Sequence, residues 1–114
     1  MVVDRAEERG RLRPCMEVQH ADDDLDRLEH DAAFTGGHAQ AIVRAFRKVM
    51  QMIRAATDER TFYALKSLRF EKLRGDREGE RSMRLNDQWR LILRFKDEED
   101  GSKTVVVLAI EDYH

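Results

Sequence analysis

The sequence predicts an α+β domain in which helices pack on one face of an antiparallel sheet. Two observations carry this prediction. In the first half of the chain, apolar residues recur every three or four positions, which is typical of helices. In the second half they alternate with polar residues or run continuously, which is typical of strands. A chain of 114 residues fits one domain with a modest core.

The first fifteen residues differ from those that follow. They are rich in charge, contain the only proline, Pro14, and show little apolar periodicity. Met16 then opens an alternating segment to His20, which is typical of a short strand. We interpret residues 1–15 as an N-terminal extension that is not native, and residues 16–114 as a single domain. The mass of the protein from its native source would test this start.

A short helix is predicted after Asp22. The acids at residues 22–24 suit a helix N-terminus, because they accept hydrogen bonds from free amide groups and match the helix dipole. Thr35–Gly37 indicates a break after it. The apolar side of this helix is expected to consist of Leu25, Leu28 and Ala32.

The clearest helix covers about residues 41–56 and carries charged side chains on its other face. Its apolar residues are Ala41, Ile42, Ala45, Phe46, Val49, Met50, Ile53 and Ala56. Thr57 and Asp58 can cap a further turn or two. The residues expected to face the core in those turns are Phe62, Leu65 and Leu68.

A meander of about four strands is predicted after residue 68, where the apolar period changes. Gly75–Gly79 is typical of a hairpin loop, because two glycines enclose three charged residues. A tight turn at Asn86 joins the strands Ser82–Leu85 and Gln88–Phe95. Lys103–Ile110 is rich in β-branched residues, which indicates a central, well-buried strand.

The net charge of −2 points to no particular partner, but the charge is unevenly distributed. Residues 1–40 carry five arginines against ten acids, whereas residues 66–94 carry nine basic residues against five acids. A basic second half can present a positive face to a polyanion. The alternative is that a small, highly charged domain solvates its surface in this way.

The cysteine count and the absence of known motifs limit the cellular compartment and the cofactors that we expect. Cys15 is the only cysteine, so no internal disulfide forms, which fits a reducing compartment. No apolar run reaches the length of a membrane span and no signal segment opens the chain, so we expect a cytoplasmic protein without a membrane partner. We expect no cofactor and no metal, because phosphate-loop and zinc signatures are absent. The histidines, which lack metal-ligand spacing, are His20, His30, His38 and His114, and the first three are expected on the surface or in loops.

The end of the chain carries a candidate proton-transfer group. His114 follows the buried strand beside Asp112 and Tyr113. Strand alternation directs Asp112 and His114 to the same side, where a carboxylate orients the imidazole for acid–base work near neutral pH. The alternative is a frayed polar tail without a role.

Arginines on the predicted sheet form a second candidate set. Arg74, Arg84 and Arg90 lie on its strands or turns, and a guanidinium binds phosphate in a bidentate manner at any working pH. The alternative is that they form weak surface pairs with Glu71, Glu78 or Glu80. Trp89 can stack on a base, although a tryptophan within a strand is more often part of the core.

Three blocks in this order, Leu73–Gly79, Ser82–Arg90 and the terminal Asp112–His114, resemble the HigB branch of the RelE/ParE superfamily of toxins. The resemblance covers roughly residues 16–114 and is stronger in the second half. It implies the RelE-like fold, with N-terminal helices on a curved, mainly antiparallel sheet of about four to five strands. It also implies a type II toxin of the plasmid maintenance killer kind that cleaves mRNA in the ribosomal A site.

The resemblance implies partners as well. A HigA-like antitoxin with a helix-turn-helix DNA-binding domain would neutralise the toxin, and operator DNA would be reached only through that antitoxin. The other partners implied are the ribosome and its mRNA.

The reaction implied is metal-free RNA cleavage, in which the 2′-hydroxyl attacks the adjacent phosphate. It requires a proton acceptor, a proton donor and cations for the developing charge. The resemblance assigns proton transfer to His114 and Asp112, charge stabilisation to Arg90 and Arg74, and substrate positioning to Tyr113. The residues assigned to RNA binding are Lys72, Arg84, Asn86 and Trp89.

The sequence departs from some relatives beside the Gly75–Gly79 loop. Glu71 stands about where some relatives carry a histidine, and Glu80 and Arg81 stand where some carry aromatic residues. Glu71 is either an alternative base or a solvent-facing pair for a nearby arginine, and we favour the pair. Two further functions stay open, namely a non-catalytic module that binds the antitoxin and a relative that has lost its activity.

Overall fold

The computed structural model describes residues 16–112. The predictions for residues 1–15, Tyr113 and His114 therefore lie outside the described residues. Within 16–112 the chain forms the expected α+β domain, with three α-helices and one five-stranded sheet. The strands are β1 (Glu17–His20), β2 (Glu71–Lys72), β3 (Glu80–Arg84), β4 (Trp89–Asp97) and β5 (Lys103–Asp112). The helices are α1 (Asp23–His30), α2 (Gln40–Ala55) and α3 (Arg60–Ala64), with short 3₁₀ helices at Lys66–Leu68 and Gly75–Arg77.

Helix α1 is shorter than predicted. It begins where expected, because the Asp22 side chain accepts a hydrogen bond of 2.6 Å from the Asp24 amide. It ends at His30, and the Arg47 guanidinium donates to the carbonyl oxygens of Leu28, Asp31 and Phe34 just beyond the last turn. The prediction that Ala32 faces the core was wrong, since the chain has left the helix by then and Ala32 is exposed.

Helix α2 supplies most of the helical side of the core. Its buried residues are Ile42, Val43, Phe46, Val49, Met50 and Ile53. The predicted stripe is confirmed except at its start, where Val43 is buried and Ala41 is exposed. Each fully buried large apolar side chain of this kind stabilises the fold by roughly 1.5–3 kcal/mol. None of the helices within residues 16–112 is long and apolar enough to span a membrane.

The sheet has the strand order β1-β5-β4-β3-β2, with β1 parallel to β5 and the other pairs antiparallel. Strand β5 is interior, as predicted for Lys103–Ile110, although β4 takes the middle place. The register of β4 and β5 shifts at one point, since Ile92 faces Ala109 whereas Leu93 faces Val107. Leu108 is therefore an extra residue, a β-bulge that bends β5 towards its end.

The two faces of the sheet differ in character. The core face packs against the helices through Met83, Leu91, Leu93, Val105 and Val107. The opposite face carries Arg84, Arg90 and Arg94, and we call it the arginine face. Its other members on β3, β4 and β5 include Glu80, Ser82, Ile92 and Glu111.

Candidate active site

Two arginines face each other on the arginine face. Arg84 of β3 pairs in register with Arg90 of β4, and Arg90 pairs on its other side with Glu111 of β5. Arg90 is 7% exposed, so a permanently charged guanidinium is buried at this point. Like charges directly across two strands destabilise a sheet. Arg84 forms an ion pair with Asp87 and Arg90 is in register with Glu111, so each of the two arginines has an acidic neighbour.

A third guanidinium, that of Arg77, lies over the same face. It donates to the two Glu111 carboxylate oxygens at 2.7 and 2.8 Å and to Glu80 at 2.9 Å. Its hydrogen bonds to Glu111 and then to Glu80 raise the pKa of Arg77, so its charge is permanent. We call these three residues the Arg77 bridge. Sequence reasoning missed it, because Arg77 and Glu111 are 34 positions apart and no local pattern links them.

The hairpin loop and its flanking strands enclose a groove of about 920 Å³. Its charged lining residues are Glu71, Lys72, Arg74, Glu78 and Arg81. Two residues predicted to contact RNA, Lys72 and Arg74, therefore share one groove, and both are exposed. Three cations against two acids give the groove a positive balance.

Glu71 does not form the expected ion pair. It lies on the edge strand β2 opposite Ser82 and is exposed. Within residues 16–112 its carboxylate has no ion pair, because Arg77 turns instead towards Glu80 and Glu111. The prediction of a pair with a nearby arginine was therefore wrong for Glu71. Glu80 does form an ion pair, but with Arg77 and not with the predicted Arg74, Arg84 or Arg90.

The turn before β4 gives a structural part to one predicted RNA-binding residue. The Asn86 side-chain oxygen accepts hydrogen bonds from the backbone amides of Gln88 and Trp89, at 2.8 and 2.7 Å. Trp89 is half-buried, and its ring meets that of His38 edge to face, with 5.6 Å between centroids. Trp89 is therefore supported from one side by the loop before α2 and is not part of the fully buried core.

Asp112 ends the described part of β5 and is exposed. Its carboxylate accepts a hydrogen bond of 2.9 Å from the Gln88 side chain. It pairs in register with Trp89, whereas its neighbour Glu111 pairs with Arg90. Strand alternation therefore places Asp112 on the side of Trp89 and Glu111 on the arginine face.

The predicted site residues thus fall into three places. Arg84 and Arg90 lie together on the arginine face, and Lys72 and Arg74 lie together in the groove. Asp112 lies at the end of β5, on the opposite side of the sheet from Arg90. Asn86 and Trp89 form the turn at that same end, while Tyr113 and His114 are outside the described residues.

A second polar cluster lies on the helical side of the sheet. The His20 side chain is 6% exposed, so its predicted place on the surface was wrong. Its Nε2 lies 2.8 Å from Glu29, which also accepts hydrogen bonds from Arg54. Burial opposes ionisation of Glu29, but the bonds from Arg54 and His20 outweigh it and lower the pKa of that carboxyl. Among residues 16–112, no three His, Cys, Asp or Glu side chains are grouped so as to hold a metal ion.

Comparison with known proteins identifies the family of this chain and is consistent with its fold. The family model described as the RelE-like toxin of type II toxin–antitoxin system HigB matches residues 18–114. No curated protein matches the sequence.

Solved structures of toxins are similar in fold. The YoeB/ParE toxin from Agrobacterium tumefaciens is 15% identical with a TM-score of 0.52, over 87% of this chain and all 100% of that chain. The YoeB dimer from Staphylococcus aureus is 15% identical with a TM-score of 0.48, over 88% of this chain and 98% of that one. At such identity, the Agrobacterium structure shows the fold alone.

The family match spans nearly the whole of the described domain. A toxin of a type II system has an antitoxin as its partner. The chain therefore belongs to the HigB-like family of RelE-like toxins of type II toxin–antitoxin systems.

Proposed function

We propose that this toxin is a ribosome-dependent mRNA endonuclease that cuts without a metal ion. The observation that supports this most is the cross-strand pair of Arg84 and Arg90, one of them buried, in a member of this toxin family. Two arginines in register on adjacent strands bring like charges together, which costs a sheet stability. A phosphate backbone laid over the pair would relieve the repulsion.

The proposed reaction is an internal transfer at one phosphate. The RNA 2′-oxygen forms a bond to the adjacent phosphorus while the bond to the 5′-oxygen breaks. The proton of the 2′-hydroxyl goes to a base on the protein, and an acid gives a proton to the leaving 5′-oxygen. Cations stabilise the extra negative charge that develops on the phosphate in between.

The proton-transfer roles fall to His114 and Asp112, with Tyr113 positioning the substrate. This assignment rests on the resemblance of the terminal tripeptide to the family pattern. The hydrogen bond from Gln88 holds the Asp112 carboxylate at the end of the described part of β5. Glu71 is the alternative base, since its exposed carboxylate has no ion pair within residues 16–112.

The cations fall into two groups with different roles. The resemblance assigns Arg90 and Arg74 to charge stabilisation at the reacting phosphate, and Lys72 and Arg84 to the RNA backbone at its flanks. Arg90 and Asp112 lie on opposite sides of the sheet, so the RNA would have to reach both from the strand end at Trp89 and Asp112. The groove lined by Lys72 and Arg74 gives a path for a single strand.

The turn before β4 provides two further contacts. Trp89 stacks on a base with the face that His38 leaves open, since the two rings meet edge to face. Asn86 contributes only its amide NH₂ group, because its oxygen is engaged in the turn.

We further propose that the toxin works in the cytoplasm on translating ribosomes and that residues 16–114 form the toxin domain. Its antitoxin would be HigA-like, with a helix-turn-helix domain, and operator DNA would be bound only through that protein. The ribosome would supply the alignment of the mRNA, because the toxin itself offers few acid–base groups.

Expression in a bacterium without the antitoxin tests this proposal. The full-length protein and its His114→Ala variant would be induced, and new mRNA 5′ ends would be mapped. We expect new ends within translated frames for the wild type and none for the variant. Soluble, folded wild-type protein that causes neither growth arrest nor new ends would contradict the proposal. The result would then favour a module that binds its antitoxin without catalysis.

A further inference from the structure

We propose that Arg77 is a positioning residue, which holds the loop that carries Arg74 in a fixed place relative to the end of β5 that carries Asp112. The inference rests on the proposed nuclease function and deepens it. In this view Arg77 does not touch the RNA. Its task is to join two parts of the site that lie far apart in the sequence.

The connectivity of the bridge supports this view. Glu80 belongs to β3 and Glu111 to β5, with β4 between them. The Arg77 guanidinium therefore crosses over β4 on the arginine face. Ile92 of β4, which is 3% exposed, lies on this face between Arg94 and Arg90, which are in register with Glu80 and Glu111. The bridge thus ties the hairpin loop across the full width of three strands.

The bridge is rigidly coupled to Arg74 at its other end. Arg74 immediately precedes the 3₁₀ helix Gly75–Arg77, and the Arg77 amide donates to its carbonyl oxygen at 3.4 Å. In the same turn, the Glu78 amide donates a hydrogen bond of 3.1 Å to the Gly75 carbonyl oxygen. A shift of the Arg77 side chain therefore moves the backbone that carries Arg74.

The charges of the bridge exclude a direct role in phosphate binding. The guanidinium uses three donors on two carboxylates, so the three residues together carry one net negative charge. The bridge therefore offers a phosphate no net positive charge. The Arg77 side chain is also 41% exposed, and ion pairs at that exposure contribute little to global stability. What the bridge fixes is local geometry.

Two matched substitutions distinguish a positioning role of Arg77 from an effect of charge alone. Glu111→Gln and Glu80→Gln each remove one negative charge beside the same Arg77 guanidinium. Only Glu111→Gln weakens the tie to β5. We would measure kcat and KM for cleavage of a defined mRNA on purified bacterial ribosomes, with thermal unfolding of each variant as the folding control.

We expect Glu111→Gln to lower kcat by roughly 10- to 100-fold with KM within about threefold, because a misplacement near 1 Å costs on that order. Glu80→Gln should keep kcat within about threefold. Arg77→Lys should resemble Glu111→Gln, since an ammonium cannot reproduce the bidentate bond. Equal effects of the two glutamate substitutions, or a change in KM alone, would overturn the positioning role while leaving the nuclease intact. A folded wild type without activity would overturn the nuclease function, and the inference with it.

Discussion

Arg84 and Arg90 face each other across β3 and β4, and Arg90 is buried. The same two strands also pair Glu80 with Arg94, an arrangement of opposite charges that a sheet favours. The first pair therefore sets like charges in register where the second sets opposite charges. The ion pair of Arg84 with the exposed Asp87 compensates this only in part.

Arg84→Thr should stabilise the protein by about 0.2–1 kcal/mol, because it removes a like-charge neighbour and introduces a residue that suits a strand. Urea unfolding measures this change. Arg94→Thr is the matched control and should not stabilise, since Arg94 faces Glu80. Destabilisation by Arg84→Thr would show that the pair is already neutralised in the free protein.

Arg74→Gln should weaken RNA binding and reduce its dependence on salt. Each phosphate contact to a single strand contributes about 0.7 to the slope of log affinity against log salt concentration. The slope for a ribosome-bound mRNA with a 2′-O-methyl block should therefore fall by about that amount. Arg60→Gln removes the same charge from α3 and should leave the slope unchanged. An unchanged slope for Arg74→Gln would remove Arg74 from the phosphate contacts.

Phe46→Ala should destabilise the fold by roughly 3–5 kcal/mol, because the side chain is fully buried in the core and its loss leaves a cavity. Chemical denaturation measures the loss. Tyr63→Ala removes a ring of similar size that is 48% exposed, and its effect should be much smaller. Comparable losses for the two substitutions would contradict the packing of α2 described above.

Glu29 should make stability depend on pH in the acid range. The pKa of its carboxyl is lowered from the ordinary 4.5, so the folded state holds the ionised form more strongly than the unfolded state does. Its contribution is therefore fully present above about pH 4.5 and is lost as the pH falls through the lower, folded value.

Glu29→Gln provides the test of this pH dependence. The difference in unfolding free energy between wild type and variant should be largest near neutral pH and should shrink below pH 4.5. The exposed Glu17→Gln is the control. A difference that stays constant from pH 3 to pH 7 would mean that the ion pair with Arg54 does not contribute.

Periodicity predicted the elements that bury a continuous apolar face. Helix α2 and strand β5 follow directly from it, because burial and period agree over many residues. It failed at Ala32, where the end of α1 depends on carbonyl groups that bond to Arg47, a residue 15 positions later in the sequence. Helix ends are determined by such distant donors, which a local pattern does not contain.

The sequence was sufficient to name the cationic residues of the candidate site. It predicted only part of how these residues are arranged in space. Lys72 and Arg74 share a groove because they are close in sequence, on one edge strand and its turn. The burial of His20 and the pairing of Arg77 with Glu111 depend on contacts between separate elements. Such contacts follow from the register of the sheet, which single-sequence reasoning does not supply.

The bulge at Leu108 determines which side of the sheet the end of β5 presents. Counted by twos from the buried Val105 and Val107, an unbroken strand would turn Glu111 towards the helices and Asp112 towards the arginines. The extra residue reverses this phase, so Glu111 reaches the Arg77 guanidinium instead. Deletion of Leu108, which is half-buried, would exchange the sides of the sheet on which Glu111 and Asp112 lie, without changing either residue. The orientation of the described end of β5 is thus encoded by a residue count rather than by the identity of any side chain.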